Sequence, residues 1–245
     1  MRMINGVRKR PLLQVSRIGA CLLALTAWTM GRSCPAFAFE QMAKGETVTY
    51  DIRKLGISVG EASLVYNGMV ETNAQETLSI TVTAHGFKFF DEEQIYLDPK
   101  TFYPVMIKRD LDIFGKKEKI VEHYDSKAGR VRIVKTAGGK TDQEVIEGGG
   151  RFDNIYGFIY RQRLTGRFTK GETYDLHLPT SDVQLQFVEK KKVKLDKRVY
   201  EAYYIASVPK KYRVWFEDSP RRVPVKIDGA IGWGNMSMVI KEPAE

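Results

Sequence analysis

The sequence predicts a mostly β fold: a large curved antiparallel sheet, as a half-barrel or open barrel, packed around one short α-helix. Three observations carry this. Apolar and polar residues alternate with a period of two through much of the chain. Turn-forming residues recur at short intervals: Asn67-Gly68, Asp98-Pro99, Gly115, Gly129, Gly138-Gly139, Gly148-Gly149-Gly150, Gly171, Asp218-Ser219-Pro220 and Asp228-Gly229. A single segment departs to helical spacing. The strand count expected from these breakers is about eleven, to within about two.

The chain begins with a segment that does not belong to the sheet. Residues 1–38 hold six basic side chains (Arg2, Arg8, Lys9, Arg10, Arg17, Arg32) and no acidic ones. An apolar stretch from Ile18 to Met30 follows the basic start, and Ala36-Phe37-Ala38 supplies small residues for a cut after Ala38. The apolar run is shorter than the roughly 20 residues that span a bilayer. The expectation is a cleavable export signal over 1–38, no transmembrane segment, a periplasmic location and a single β-rich domain over 39–245. Lipid attachment at Cys21 or Cys34 is the weaker alternative, because Arg17 and Arg32 interrupt the apolar runs it needs.

Within the body, Leu78, Ile80, Val82 and Ala84 alternate with Ser79, Thr81, Thr83 and His85. The strand around Glu122-His123-Tyr124 is charged. Further on, Tyr174, Leu176 and Leu178 alternate with Thr173, Asp175 and His177, and Val223, Val225 and Ile227 with Pro224, Lys226 and Asp228. Between these strands, Phe152, Ile155, Tyr156, Ile159 and Tyr160 fall at i, i+3, i+4, i+7 and i+8, the stripe of an amphipathic helix. Asp153 or Asn154 can cap its start, Arg161 and Arg163 suit its end, and Gly166 can stop it. A helix of about 12 residues spans only about 18 Å, too little to cover a large sheet. A ligand cavity or packed side chains can fill the remainder.

Composition excludes several functions. Beyond residue 38 the chain has thirty-three basic against thirty acidic side chains, so its +9 charge falls to +3 and a nucleic-acid-binding domain is not indicated. Both cysteines lie in the leader, leaving the exported chain with no disulfide, thiol nucleophile or cysteine ligand. The three histidines, His85, His123 and His177, lack the spacing that puts two imidazoles on one metal. No metal and no cofactor is implied.

Gly56-Ile57-Ser58-Val59-Gly60 matches the Gly-x-Ser-x-Gly pattern of hydrolases, which requires a sharp strand-to-helix turn. Residues 61–66 read instead as strand, so the match is fortuitous and Ser58 is not assigned a catalytic role. Lys190, Lys192 and Lys194 share one strand face, with Lys191, Lys197 and Arg198 nearby; a solvated edge that resists aggregation is the favoured reading, and a patch for anionic headgroups or an acidic partner the alternative. Tyr200, Tyr203 and Tyr204 cluster and suit core packing. Asn235-Met236-Ser237 has the form of a glycosylation sequon and is given no weight.

Three stretches together carry a family resemblance. They are Tyr50 to Ala62 with Gly56 and Gly60, Asp153 to Arg161, and Trp215 to Ile227 with its acidic turn, arginines and Pro224-Val225. In these the chain resembles the exported bacterial family catalogued as domain of unknown function 3108, across essentially residues 46–240. Gly232-Trp233-Gly234-Asn235 departs from the smaller step usual there. The resemblance implies a Gram-negative envelope protein with no established activity, and the shape is similar to the half-barrels of lipoprotein carriers. Gly56, Gly60, Asp153, Arg161, Asp218, Arg222 and Pro224 are read as scaffold, with Asp218 facing Arg222 across a turn.

The expected function is therefore non-enzymatic binding of an apolar or lipid-like envelope component, with Tyr156, Ile159, Tyr160 and Trp215 lining the cavity. The alternative is a protein–protein module in envelope assembly, using sheet edges and the charged strand 188–198.

Overall fold

The computed structural model describes residues 42–229 and 236–241. The leader, both cysteines, Asn235 and the Gly232–Asn235 step lie outside the described residues. Within them are fourteen strands and one helix. The first eight strands are β1 (Glu46–Lys54), β2 (Ile57–Thr72), β3 (Gln75–Gly86), β4 (Phe89–Leu97), β5 (Pro104–Ile113), β6 (Lys116–Asp125), β7 (Arg130–Ala137) and β8 (Lys140–Glu147). Helix α1 (Ile155–Thr165) follows, and then β9 (Thr173–Leu178), β10 (Ser181–Leu195), β11 (Arg198–Val208), β12 (Arg213–Glu217), β13 (Pro224–Asp228) and β14 (Met236–Ile240).

All strands join one antiparallel sheet in the order β8-β7-β6-β5-β4-β3-β2-β1-β14-β13-β12-β11-β10-β9. Two hairpin meanders, β1–β8 and β9–β14, are thus joined by one ladder, in which Tyr50 faces Ile240 and Lys54 faces Met236. The sheet stays open, with β8 and β9 as its edges. The count exceeds the expected eleven for a physical reason. β8 is solvated on both faces and so carries no apolar alternation, and β12, β13 and β14 are only five residues each.

One face of the sheet is apolar and curls around α1. Tyr50, Ile52, Leu64, Tyr66, Leu78, Ile80, Ile95 and Leu97 come from the first meander; Leu176, Leu185, Ile205, Val214, Phe216 and Ile227 come from the second. The helix begins at Asn154, whose Oδ1 accepts from the Tyr156 and Gly157 amides at 2.8 and 3.1 Å. Asp153 does not cap it; its amide donates to the His177 carbonyl of β9 at 2.7 Å. The Gly166 amide closes the last turn on the Gln162 carbonyl.

The predicted amphipathic stripe is only part of the buried surface. Phe158, Gln162, Arg163 and Leu164 are buried too, because the sheet reaches the helix from several sides. Tyr160 meets Tyr66 of β2, Phe158 meets Tyr174 of β9, and a Cβ at Gly157 would stand 3.1 Å from Leu97 of β4. At the far end of the helix the fully buried Arg163 guanidinium donates to Glu46 of β1 at 2.8 Å. Arg221 shares the same carboxylate.

The scaffold residues sort out as follows. Leu55-Gly56 forms the two-residue turn between β1 and β2, with Gly56 at φ +84°. Gly60 leaves no room for a side chain, since a Cβ there would lie 2.3 Å from the His85 carbonyl oxygen. Asp218 does not pair with Arg222. It accepts from the Tyr203 hydroxyl and pairs with Lys190, while Arg222 donates to the Gly166 carbonyl at 2.6 Å. Arg161 reaches back 3.5 Å to Asp153. The Pro224 carbonyl accepts from the buried Tyr50 hydroxyl.

The distal half of the β10–β11 hairpin forms a second layer. A bulge between Phe187 and Glu189 bends it. Leu195 and Tyr200, with Val193 and Tyr204, pack on Trp215, Val225 and Val239, which face away from α1. The hairpin tip reaches β1, where Arg53 makes two hydrogen bonds to Asp196 at 2.8 and 2.6 Å. Both faces of β13 are consequently covered, rather than one as the alternation predicts. A bulge opposite Trp215 and Phe216 turns Val225 outward.

Replacing Arg163 with alanine leaves the buried Glu46 with only the exposed Arg221 and is expected to cost about 3 kcal/mol in chemical denaturation. The double variant Arg163→Met with Glu46→Gln removes both charges and is expected to recover much of that loss.

Candidate functional site

The face around α1 is not filled by the helix. A cavity of about 930 Å³ lies at the helix N-terminus, between the first meander and the turns of the second. One wall comes from β4, β5 and β6. There Asp91, Glu93 and Arg109 take the inward positions on the turn side of Ile95, Leu97 and Ile107, while Glu122 of β6 stands directly across from Ile107 with Tyr124 two residues on. The floor is Asn154, Ile155 and Tyr156 of the helix start. The opposite wall is Leu178, Pro179 and Thr180, with Lys210, Lys211, Tyr212 and Arg213, and with Asp228, Met236 and Ser237.

The polar wall is organised around one guanidinium. Arg109 grips Asp91 through Nε at 2.8 Å and a terminal nitrogen at 2.6 Å. Glu93 lies directly across the strand pair from Arg109 and accepts from the Asn154 side-chain amide at 2.9 Å. Glu122 accepts from the Tyr124 hydroxyl. Three carboxylates thus face one arginine already committed to Asp91. Burial pushes the Glu93 carboxyl up to about 7, with the neighbouring Asp91 and Glu122 adding to the rise against the pull of Arg109. Burial also raises Glu122. The phenol of Tyr156 is raised by burial and by Glu93.

This is a half-apolar, half-polar site. Ile107, Ile155, Leu178 and Met236 offer hydrocarbon surface, whereas Glu93, Glu122, Tyr124 and Tyr156 offer hydrogen-bonding groups, and Lys210, Lys211 and Arg213 edge the opening. Among the described residues no group of three or more His, Cys, Asp and Glu side chains is placed to hold a metal ion.

Of the residues expected to line a cavity, Tyr156 does so. Ile159 and Tyr160 do not: both are completely buried in the core beneath β1 and β2. Trp215 is on the other side of the sheet, stacked on Tyr204 at 4.8 Å under the folded-back hairpin. Ser58 sits within strand β2, in a hairpin rather than a strand-to-helix turn, so the geometry that makes such a serine nucleophilic is absent there. His177 contacts Asp182 at 2.9 Å on the surface, and Lys190, Lys191 and Lys192 pair with Glu201, Glu189 and Asp218. The Tyr200, Tyr203 and Tyr204 cluster is divided: Tyr203 stacks on Phe168 on the inner face, and the other two join the outer layer.

Sequence reasoning missed the acidic wall. Its signal was available: Asp91 and Glu93 precede Ile95 and Leu97 at two-residue spacing, which puts carboxylates on the buried face of one strand.

No helix among the described residues is long and apolar enough to cross a membrane. The chain belongs to a family described as proteins of unknown function, DUF3108, whose model matches residues 47–241. No curated protein matches it. Among solved structures it is similar to a β-barrel-like protein of the domain of unknown function DUF1849 from Brucella abortus. The match has 11% identity and a TM-score of 0.43, and covers 80% of this chain and 94% of that one.

The raised Glu93 carboxyl fixes the sign of a pH effect. Its folded-state value of about 7 lies above the ordinary 4.5, so ionisation destabilises the fold progressively as pH rises between those values. Glu93→Gln is therefore expected to raise the melting temperature at pH about 8 and leave it nearly unchanged below about 4.5. Thermal melts of both proteins across that range check it; an equal shift at both ends would contradict the assignment.

Proposed function

We propose that this member of the DUF3108 family is an exported, non-enzymatic binding protein of the Gram-negative envelope, and that its ligand is an amphipathic, lipid-like molecule. The observation that carries the reading is the cavity itself: about 930 Å³ of space left beside a helix too short to fill the curled sheet. Its hydrocarbon surface suits an acyl or similar apolar portion. The Glu93–Glu122–Tyr124–Tyr156 wall suits a hydrogen-bonding or cationic polar group, and a wholly apolar ligand would leave its carboxylates with hydrogen-bonding capacity beyond what Asn154 and Tyr124 satisfy. The basic start, short apolar run and Ala36-Phe37-Ala38 of the leader support export to the periplasm.

The test is native mass spectrometry, with organic extraction, of protein purified from the periplasm of its own host. The expected result is a polypeptide beginning at Phe39 together with a discrete bound mass that extraction releases. Filling the cavity by Ile107→Trp, or its lip by Thr180→Trp, is expected to remove that mass while the variant still melts cooperatively. A bare polypeptide mass, or a bound mass indifferent to both variants, would count against the reading.

A further inference from the structure

Every link within the two meanders is a hairpin, so successive turns alternate between the two ends of the sheet. The β1–β2, β3–β4, β5–β6 and β7–β8 turns lie at one end. The register of Lys54 with Met236, and of Arg213 with Asp228, puts the β9–β10, β11–β12 and β13–β14 turns at the same end. Thr180, Lys210 and Lys211 of that end line the cavity.

The two ends differ in chemistry. At the mouth, Leu55 is 91% exposed, Phe87 81%, Ile57 69% and Phe114 64%. These residues occupy three consecutive hairpin tips, and two of those tips touch, through the Phe114 amide and the Lys88 carbonyl at 2.8 Å. At the usual strand spacing the row from β1 to β6 is about 24 Å long. Leu55 and Phe114 also stand at φ +51° and +53°, turn positions that favour Gly, Asn or Asp. Large apolar residues there are doubly unfavourable in water, in backbone conformation and in exposure. At the opposite end the same turn type is built from Asn73-Ala74, and Phe102 folds inward.

Charge follows the same division. The mouth turns 54–57, 87–88, 112–117, 138–140 and 209–211 contain seven lysines (Lys54, Lys88, Lys116, Lys117, Lys140, Lys210, Lys211) against one carboxylate, Asp112, which faces Lys117 and accepts from the Gly115 amide at 2.9 Å. Apolar tips interleaved with lysines on one rim match a bilayer surface of anionic lipid, the tips entering the headgroup–acyl boundary and the ammonium groups meeting phosphates.

We propose that the mouth rim, Leu55, Ile57, Phe87 and Phe114 with their flanking lysines, docks on an anionic membrane surface. The cavity then opens directly onto the lipid from which an amphipathic ligand enters or leaves. The second statement rests on the binding function proposed above; the first does not.

The experiment is co-sedimentation of native protein, purified in processed form from its own cells, with vesicles of phosphatidylethanolamine and phosphatidylglycerol in equal parts. Binding is expected there, weakened by added salt and weaker on phosphatidylcholine alone. The variant Leu55→Ser, Ile57→Ser, Phe87→Ser alters only exposed tips and is expected to bind about a hundredfold more weakly with an unchanged melting temperature. The pair Lys54→Glu and Lys88→Glu is expected to lose the preference for anionic lipid. Failure of the wild type to bind, undiminished binding by the triple serine variant, or tips that instead hold two copies together in solution would each overturn the docking proposal. Retention of the ligand in native mass spectra is read separately, so loss of docking with ligand retained removes the rim from the account and leaves the cavity. Vesicle binding by a chain that never carries a ligand does the reverse.

Discussion

The buried ion pair between Arg163 and Glu46 links the beginning of the sheet to the end of the helix, across more than a hundred residues of sequence. A guanidinium with almost no solvent contact requires a carboxylate and acceptors in fixed positions, and these come from β1 and from the Arg221 carbonyl of the β12–β13 turn. The same helix turn is held by Arg222 on the Gly166 carbonyl. With its C-terminal end anchored where the two meanders meet, α1 cannot slide along the curled sheet. The empty volume therefore stays at its N-terminal end, and the cavity is as much a result of this anchor as of the helix's length.

Polar and apolar demands are separated by position along the strands. Deep in the curl, inward positions are aliphatic and aromatic and close-packed against α1. Toward the mouth β4 and β5 switch to Asp91, Glu93 and Arg109, and β6 adds Glu122 opposite Ile107. A buried charged wall of this kind is costly without a partner, and burial, with the neighbouring carboxylates adding to it, is why the Glu93 carboxyl is pushed up to about 7. The ionised Glu93 carboxylate thus works against the fold it belongs to.

Much of this architecture was legible because side-chain alternation and turn residues are local signals. The helix at 155–165, its Gly166 stop and the β class all follow from spacing alone. Trp215 and Tyr160 show where legibility ends. Both are large aromatics, and nothing near them in the sequence tells an inner face from an outer one or a packed core from a cavity wall. That depends on the bulge at Phe187–Glu189, which folds a hairpin over Trp215, and on the curl of the sheet around Tyr160. The charged residues of β8 hid a strand for the opposite reason: with water on both faces no alternation is needed.

The hairpin order has a consequence for how the chain assembles. Contacts within β1–β8 join residues close in sequence, so each closure loses little chain entropy and the meander can grow hairpin by hairpin. The ladder from Tyr50 to Ile240 instead joins the two extremes of the domain and closes last. Between those events an eight-stranded sheet exists whose apolar face has no cover until residues 155–165 arrive. For a chain that emerges from its N-terminus onward, that uncovered face is the interval of greatest exposure to aggregation.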